Sequence, residues 1–77
     1  MTPIEEHIVS QVKRKRQEKN MSQAELAFQL GVSPGFIGNV ESGNYGKKYN
    51  LNHINRLARI FECSPKDFLP ENCLPES

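Results

Sequence analysis

Tryptophan is missing from this sequence, cysteine occurs twice, and no apolar stretch approaches the length that crosses a bilayer. The amino-terminal segment MTPIEEHIVSQV starts acidic and lacks the apolar core of a secretory signal. A cytoplasmic protein without membrane contact is therefore expected. Cys63 stands where an apolar residue belongs, just after Ile60-Phe61, and Cys73 lies in a Pro-containing tail. One buried and one mobile thiol are expected rather than a disulfide. Together with His7 and His53 these cysteines form no C-x-x-C or H-x-x-x-H spacing, so no bound metal is expected. Paired carboxylates and Ser/His/Asp sets are missing too, which argues against an enzyme. No cofactor or small-molecule ligand is expected.

Net charge is only +1, so total charge does not select a nucleic-acid partner. Its distribution is more informative. Residues 13 to 48 carry seven Lys or Arg against three acids, whereas residues 49 to 77 carry three bases against four acids. The cluster Lys13 to Arg16 taken alone is the solvated end of a helix, where cations meet the negative pole of the dipole. Beside a nucleic-acid-binding motif the same asymmetry becomes a phosphate-facing surface. The 77 residues allow one domain near the lower size limit for a single core, with 36% hydrophobic and 25% charged residues.

Helix boundaries are written plainly. Thr2-Pro3-Ile4-Glu5 has cap, Pro and acid in the order that opens a helix, predicting a first helix from Pro3 to about Lys19 with Ile4, Ile8 and Val12 as its apolar stripe. Asn20 tolerates a left-handed exit. Ser22 with Glu25 predicts a capping box and a second helix from about Gln23 to Leu30, closed by Gly31. Ser33-Pro34 restarts a helix at once, because Pro at the first helical position loses only an unpaired amide. Gly43 ends this third helix after Ser42. The segment GNYGKKYN between Gly43 and Asn50 has no apolar period and predicts a loop. Asn50 caps a fourth helix whose Leu51, Ile54, Leu57, Ala58 and Phe61 keep helical spacing. Ser64-Pro65-Lys66-Asp67 opens a short fifth helix carrying Phe68 and Leu69, and Pro70 stops it. Residues 1 to 69 thus form the domain, with 70 to 77 expected as a disordered tail.

Two short helices around a glycine turn, each opened by a serine, have the layout of a DNA-binding helix-turn-helix. In residues 22 to 43 the chain resembles the phage-repressor (Cro-like) or xenobiotic-response-element family of helix-turn-helix regulators. The resemblance rests on Ser22, Gln23, Leu26, Ala27, Gly31, Val32, Ser33, Ile37, Glu41 and Gly43 in one unbroken register, and continues through residues 51 to 69. It implies an all-α, compact five-helix lambda-repressor-like domain that binds double-stranded DNA as a homodimeric transcriptional repressor. A restriction-modification controller is an alternative role, and an antitoxin with secondary DNA binding is a rival from another class.

With Ile37, Val40 and Glu41 inward, about 100° of rotation per residue puts Gly35, Asn39 and Ser42 outward and Pro34, Phe36 and Gly38 on the flanks. Asn39 is the strongest base reader, since its amide can accept from adenine N6 and donate to N7. Phe36 either meets a thymine methyl or packs on the edge of the second helix. Pro34 and Gly35 stand where many relatives carry polar side chains. The resemblance makes Gln23 a backbone clamp at a helix N-terminus, and puts Tyr45, Lys47, Lys48 and Tyr49 in a loop that follows the sugar-phosphate backbone. It also pairs Arg16 with Glu41, orienting the reading helix rather than touching DNA.

Overall fold

The computed structural model describes residues 1–77 and contains four α-helices: α1 (Pro3–Glu18), α2 (Gln23–Leu30), α3 (Pro34–Ser42) and α4 (Leu51–Phe61). Single 3-10 turns cover Asn44–Gly46 and Pro65–Phe68. The expected fifth helix is the second of these turns. Its hydrogen bonds run i to i+3, from Asp67 N–H to the Ser64 carbonyl and from Leu69 N–H to the Lys66 carbonyl. Leu69, the residue before Pro70, is extended at φ −97° and ψ 151°, as a following proline requires, so the run ends at Phe68 and closes as a short 3-10 turn. The first of them lies in the segment predicted as loop.

Local capping explains the starts. Thr2 with Glu5, Asn50 with His53 and Ser64 with Asp67 form complete capping boxes. The box predicted at Ser22 is only half made: Ser22 Oγ accepts from the Glu25 N–H at 3.0 Å, but the Glu25 carboxylate does not return to the Ser22 amide.

Three helices end by one device. Asn20, Gly31 and Glu62 take positive φ of 53°, 81° and 56°, and the next residue's N–H reaches back to a carbonyl five positions earlier: Met21 to Arg16, Val32 to Ala27, Cys63 to Ala58. This closure directs the following apolar side chain onto the core. Met21, Val32 and Cys63 all pack there, half-buried.

The core joins Ile8, Val9 and Val12 of α1 to Leu26, Ala27 and Leu30 of α2, Ile37 and Val40 of α3, and Ile54, Leu57, Ala58 and Phe61 of α4. Phe68 of the last turn is fully buried, its ring 6.5 Å from that of Phe61. Such short helices are stable chiefly through this shared packing. Two stripe residues fall outside it: Ile4 is 42% exposed and Leu51 82% exposed, while Val9, which lies off the predicted stripe, is buried. Arg56 Nε of α4 donates to the Gln29 carbonyl at 3.3 Å, tying α4 to the end of α2. Residues 70–77 follow without regular structure, Pro70 and Leu74 being half-buried. No helix is long and apolar enough to cross a membrane, and Cys63 and Cys73 are free thiols.

Candidate nucleic-acid interface

Helix α3 is delimited at both ends by its own sequence. Ser33 Oγ accepts from the Phe36 N–H at 3.3 Å, Pro34 opens the helix, and Gly43 leaves it at φ 74°. Ile37 and Val40 are fully buried and fasten it to α2 and α1. The opposite face carries Pro34, Gly35 and Ser42, all exposed, with Asn39 half-exposed between them. Ser42 Oγ donates back to the Asn39 carbonyl at 3.3 Å, whereas the Asn39 amide has no partner within the chain and is available to a base edge.

The two helical glycines differ. A Cβ on Gly35 would meet nothing within 4 Å, so this position faces open space. A Cβ on Gly38 would come within 3.4 Å of Gln23 Oε1, so Gly38 is where α3 passes the start of α2.

Gln23 is also held from the other side of its amide. Its Nε2 donates to Glu41 Oε1 at 3.0 Å, and Glu41 is the partner of Arg16. Arg16 Nε and Nη2 donate to Oε2 and Oε1 of Glu41 at 2.8 and 2.9 Å, while Nη1 donates to the Met21 carbonyl at 2.7 Å. The hydrogen bond to Glu41 raises the Arg16 pKa against the opposing effect of burial. The carboxylate therefore joins the end of α1, the start of α2 and the end of α3. Gln23 presents the exposed first turn of α2 with its side chain already oriented.

The four loop residues do not share one surface. Tyr45 is exposed in a left-handed conformation at φ 60°, and Lys47 is exposed. Lys48 is exposed too, but its Nζ lies 2.9 Å from Glu5 Oε2. Tyr49 departs from expectation: it is only 7% exposed and belongs to the core. Its hydroxyl is buried with no hydrogen-bond partner, and burial pushes its pKa far up.

Phe36 is half-buried against the core, with its ring beside the loop and α4. Its ring centroid is 5.3 Å from His53 and 6.2 Å from Tyr49. The sequence assigns His53 no part in the site, although its spacing of three from Asn50 is that of a capping box. Its Nδ1 accepts from the Asn50 N–H at 3.1 Å, so that nitrogen is unprotonated, and burial lowers its pKa. For Glu5 the local pattern predicts only the cap, and its ion pair with Lys48 becomes visible once the chain has folded.

The helix-turn-helix family model matches residues 12–68. No curated protein matches the sequence. Among solved structures, hydroxypropylphosphonic acid epoxidase from S. wedmorenis shares the fold at a TM-score of 0.76 and 24% identity, covering 91% of this chain and 36% of the epoxidase. The chain thus spans about a third of that enzyme's length. A cobalt(II) form of the same enzyme with substrate aligns at a TM-score of 0.73 and 25% identity, over 87% of this chain and 36% of that one. The restriction-modification controller protein C.AhdI from Aeromonas hydrophila aligns at a TM-score of 0.70 and 27% identity, over 82% of this chain and 92% of its own. With its family match running from α1 through the last 3-10 turn, and a capped α3 fastened across α2, this chain belongs to the Cro/C1-type helix-turn-helix family.

Proposed function

We propose that the chain is a sequence-specific DNA-binding repressor that acts as a homodimer and lays α3 in the major groove. The observation that carries this reading is the outward face of α3, where Asn39 offers an unpaired amide beside exposed Pro34, Gly35 and Ser42. In this role Asn39 reads a base edge, with Phe36, Pro34, Gly35 and Ser42 making the flanking contacts. Gln23, Tyr45, Lys47 and Lys48 hold the sugar-phosphate backbone. Tyr49 supports the loop from beneath by its packing against Phe36 and His53.

A nine-residue helix reads only a few base pairs, and two-fold pairing with half-sites about 34 Å apart multiplies that information. The reading contains no catalytic step, cofactor or small ligand, and places the chain in the compartment that holds its DNA. Similarity to C.AhdI over 92% of that protein favours a second, narrower role as a restriction-modification controller.

Selection of binding sites from random duplex DNA tests the proposal. Enriched pseudo-palindromes with half-sites about one helical turn apart are expected. An asymmetric site bound by one chain overturns the dimer, and absence of enrichment overturns sequence-specific binding.

A further inference from the structure

Lys48 is occupied in the folded chain, and its occupant is an anion. Glu5 lies at the third position of α1, where Oε1 accepts from the Thr2 N–H at 2.9 Å while Oε2 faces Lys48 Nζ at 2.9 Å. One carboxylate is thus held on one oxygen by a helix cap and on the other by the cation of the loop that follows α3. The Thr2 backbone hydrogen bond, followed by that to Lys48, lowers the Glu5 pKa to about 2, so Glu5 is ionised throughout the range in which proteins meet DNA. The adjacent Lys47 and Glu6 are exposed and form no ion pair.

We propose that Glu5 is an internal competitor of the DNA phosphate: it holds Lys48 in the free protein and restrains the affinity of the loop for the sugar-phosphate backbone. The inference rests on the DNA-binding reading above. A carboxylate oxygen and a phosphate oxygen are the same kind of acceptor for a lysine ammonium, which acts as a point charge with no preference for a planar partner. Transfer of Lys48 from one to the other releases a counterion from the DNA but leaves Glu5 to recruit one, so the two nearly cancel. Glu5 also stays behind as a negative charge facing the phosphate. Lys47 makes no such exchange and contributes its full share.

The test uses the full chain and four variants: Glu5→Gln, Glu6→Gln, Lys48→Ala and the double variant Glu5→Gln with Lys48→Ala. Glutamine at the third helical position still completes a capping box, so Glu5→Gln removes the charge and keeps the cap. Glu6→Gln changes net charge equally without touching Lys48. Affinity for duplex DNA is measured from about 50 to about 200 mM salt, with thermal melts to verify folding. Glu5→Gln is expected to tighten binding about two- to five-fold at low salt and to steepen the log affinity against log salt plot by up to about one unit. Glu6→Gln is expected to produce less than half of either change, and Glu5→Gln on the Lys48→Ala background no more than Glu6→Gln. Equal effects of Glu5→Gln and Glu6→Gln, or weaker binding by Glu5→Gln, overturn the proposal. Failure of the underlying reading is distinct: the wild type and every variant would leave DNA unbound at all salt concentrations.

Discussion

Arg16 and Glu41, 25 residues apart, meet in a two-pronged ion pair in which only 11% and 4% of the side chains remain exposed. The pair joins the end of α1 to the end of α3, and Gln23 adds a third hydrogen bond from α2. Removal of one member leaves the other charged and buried. Glu41→Ala is therefore expected to cost about 3–5 kcal/mol, read by denaturant unfolding, and to free both Gln23 and the end of α3. The double variant Arg16→Met with Glu41→Leu is expected to lose less than Glu41→Ala. A double variant as unstable as the single one would mean that the loss comes from packing rather than from the stranded charge.

The glycines of α3 separate helix propensity from fit. Gly35→Ala meets open space and is expected to stabilise the free protein by about 0.5–1 kcal/mol. Gly38→Ala is expected to gain less, because its methyl group touches the Gln23 amide. Melting temperatures in the opposite order would contradict the placement of α3 on α2.

Reading and holding are distinguishable at Asn39 and Lys47. Asn39→Ala is expected to cost about 1–3 kcal/mol on the selected site and to relax preference at one position. Lys47→Ala is expected to weaken all sequences alike and reduce the salt slope by about one unit. Lys48→Ala reduces it by less, because Glu5 already offsets that cation. Unchanged affinity and base preference after Asn39→Ala would remove Asn39 from the base-reading face.

His53 gives the fold a pH dependence of definite sign. Burial lowers its native pKa below the ordinary 6.5, and its Nδ1 accepts the Asn50 N–H, so the native state favours the neutral ring. The unfolded chain then binds more protons as pH falls through 6.5, and this contribution to stability is lost toward the lowered native value. Melts are expected to show falling stability over that window, and His53→Gln, which retains an acceptor at the capping position, to flatten it. Glu5 acts in a separate window: its stabilisation is present above 4.5 and lost as pH falls toward about 2.

Tyr49 carries the one buried side-chain polar atom without a partner. Tyr49→Phe removes that hydroxyl at constant shape and is expected to be neutral or stabilising by up to about 1 kcal/mol, with DNA affinity unchanged. Loss of affinity at unchanged stability would show that the phenol reaches phosphate in the complex.

The order of helices was legible in the sequence because capping, proline placement and positive φ act within a few residues. Thr2, Ser33, Asn50, Asn20, Gly31 and Gly43 all stand where those rules put them. The inward face of α3 was legible too, from the spacing of Ile37 and Val40. The fifth element was legible as a short helical run stopped by Pro70, but not its 3-10 form, which follows from Leu69 being held extended before the proline.

What the sequence determined by itself was thus the four α-helices with their caps, the resemblance in register from Ser22 to Gly43, and Asn39 and Ser42 as the polar side chains of the outward face. Tertiary structure alone decided which of those residues are free. Tyr49 and Lys48 are neighbours in one polar loop, yet one ring is buried against Phe36 and His53 while the other side chain bridges to Glu5, 43 positions away. Ile4 and Val9 are both apolar residues of α1, and only packing shows that the first is exposed and the second buried. The physical reason is range: a cap or turn satisfies backbone groups of its own segment, whereas burial and ion pairing depend on surfaces that meet only once the helices have packed.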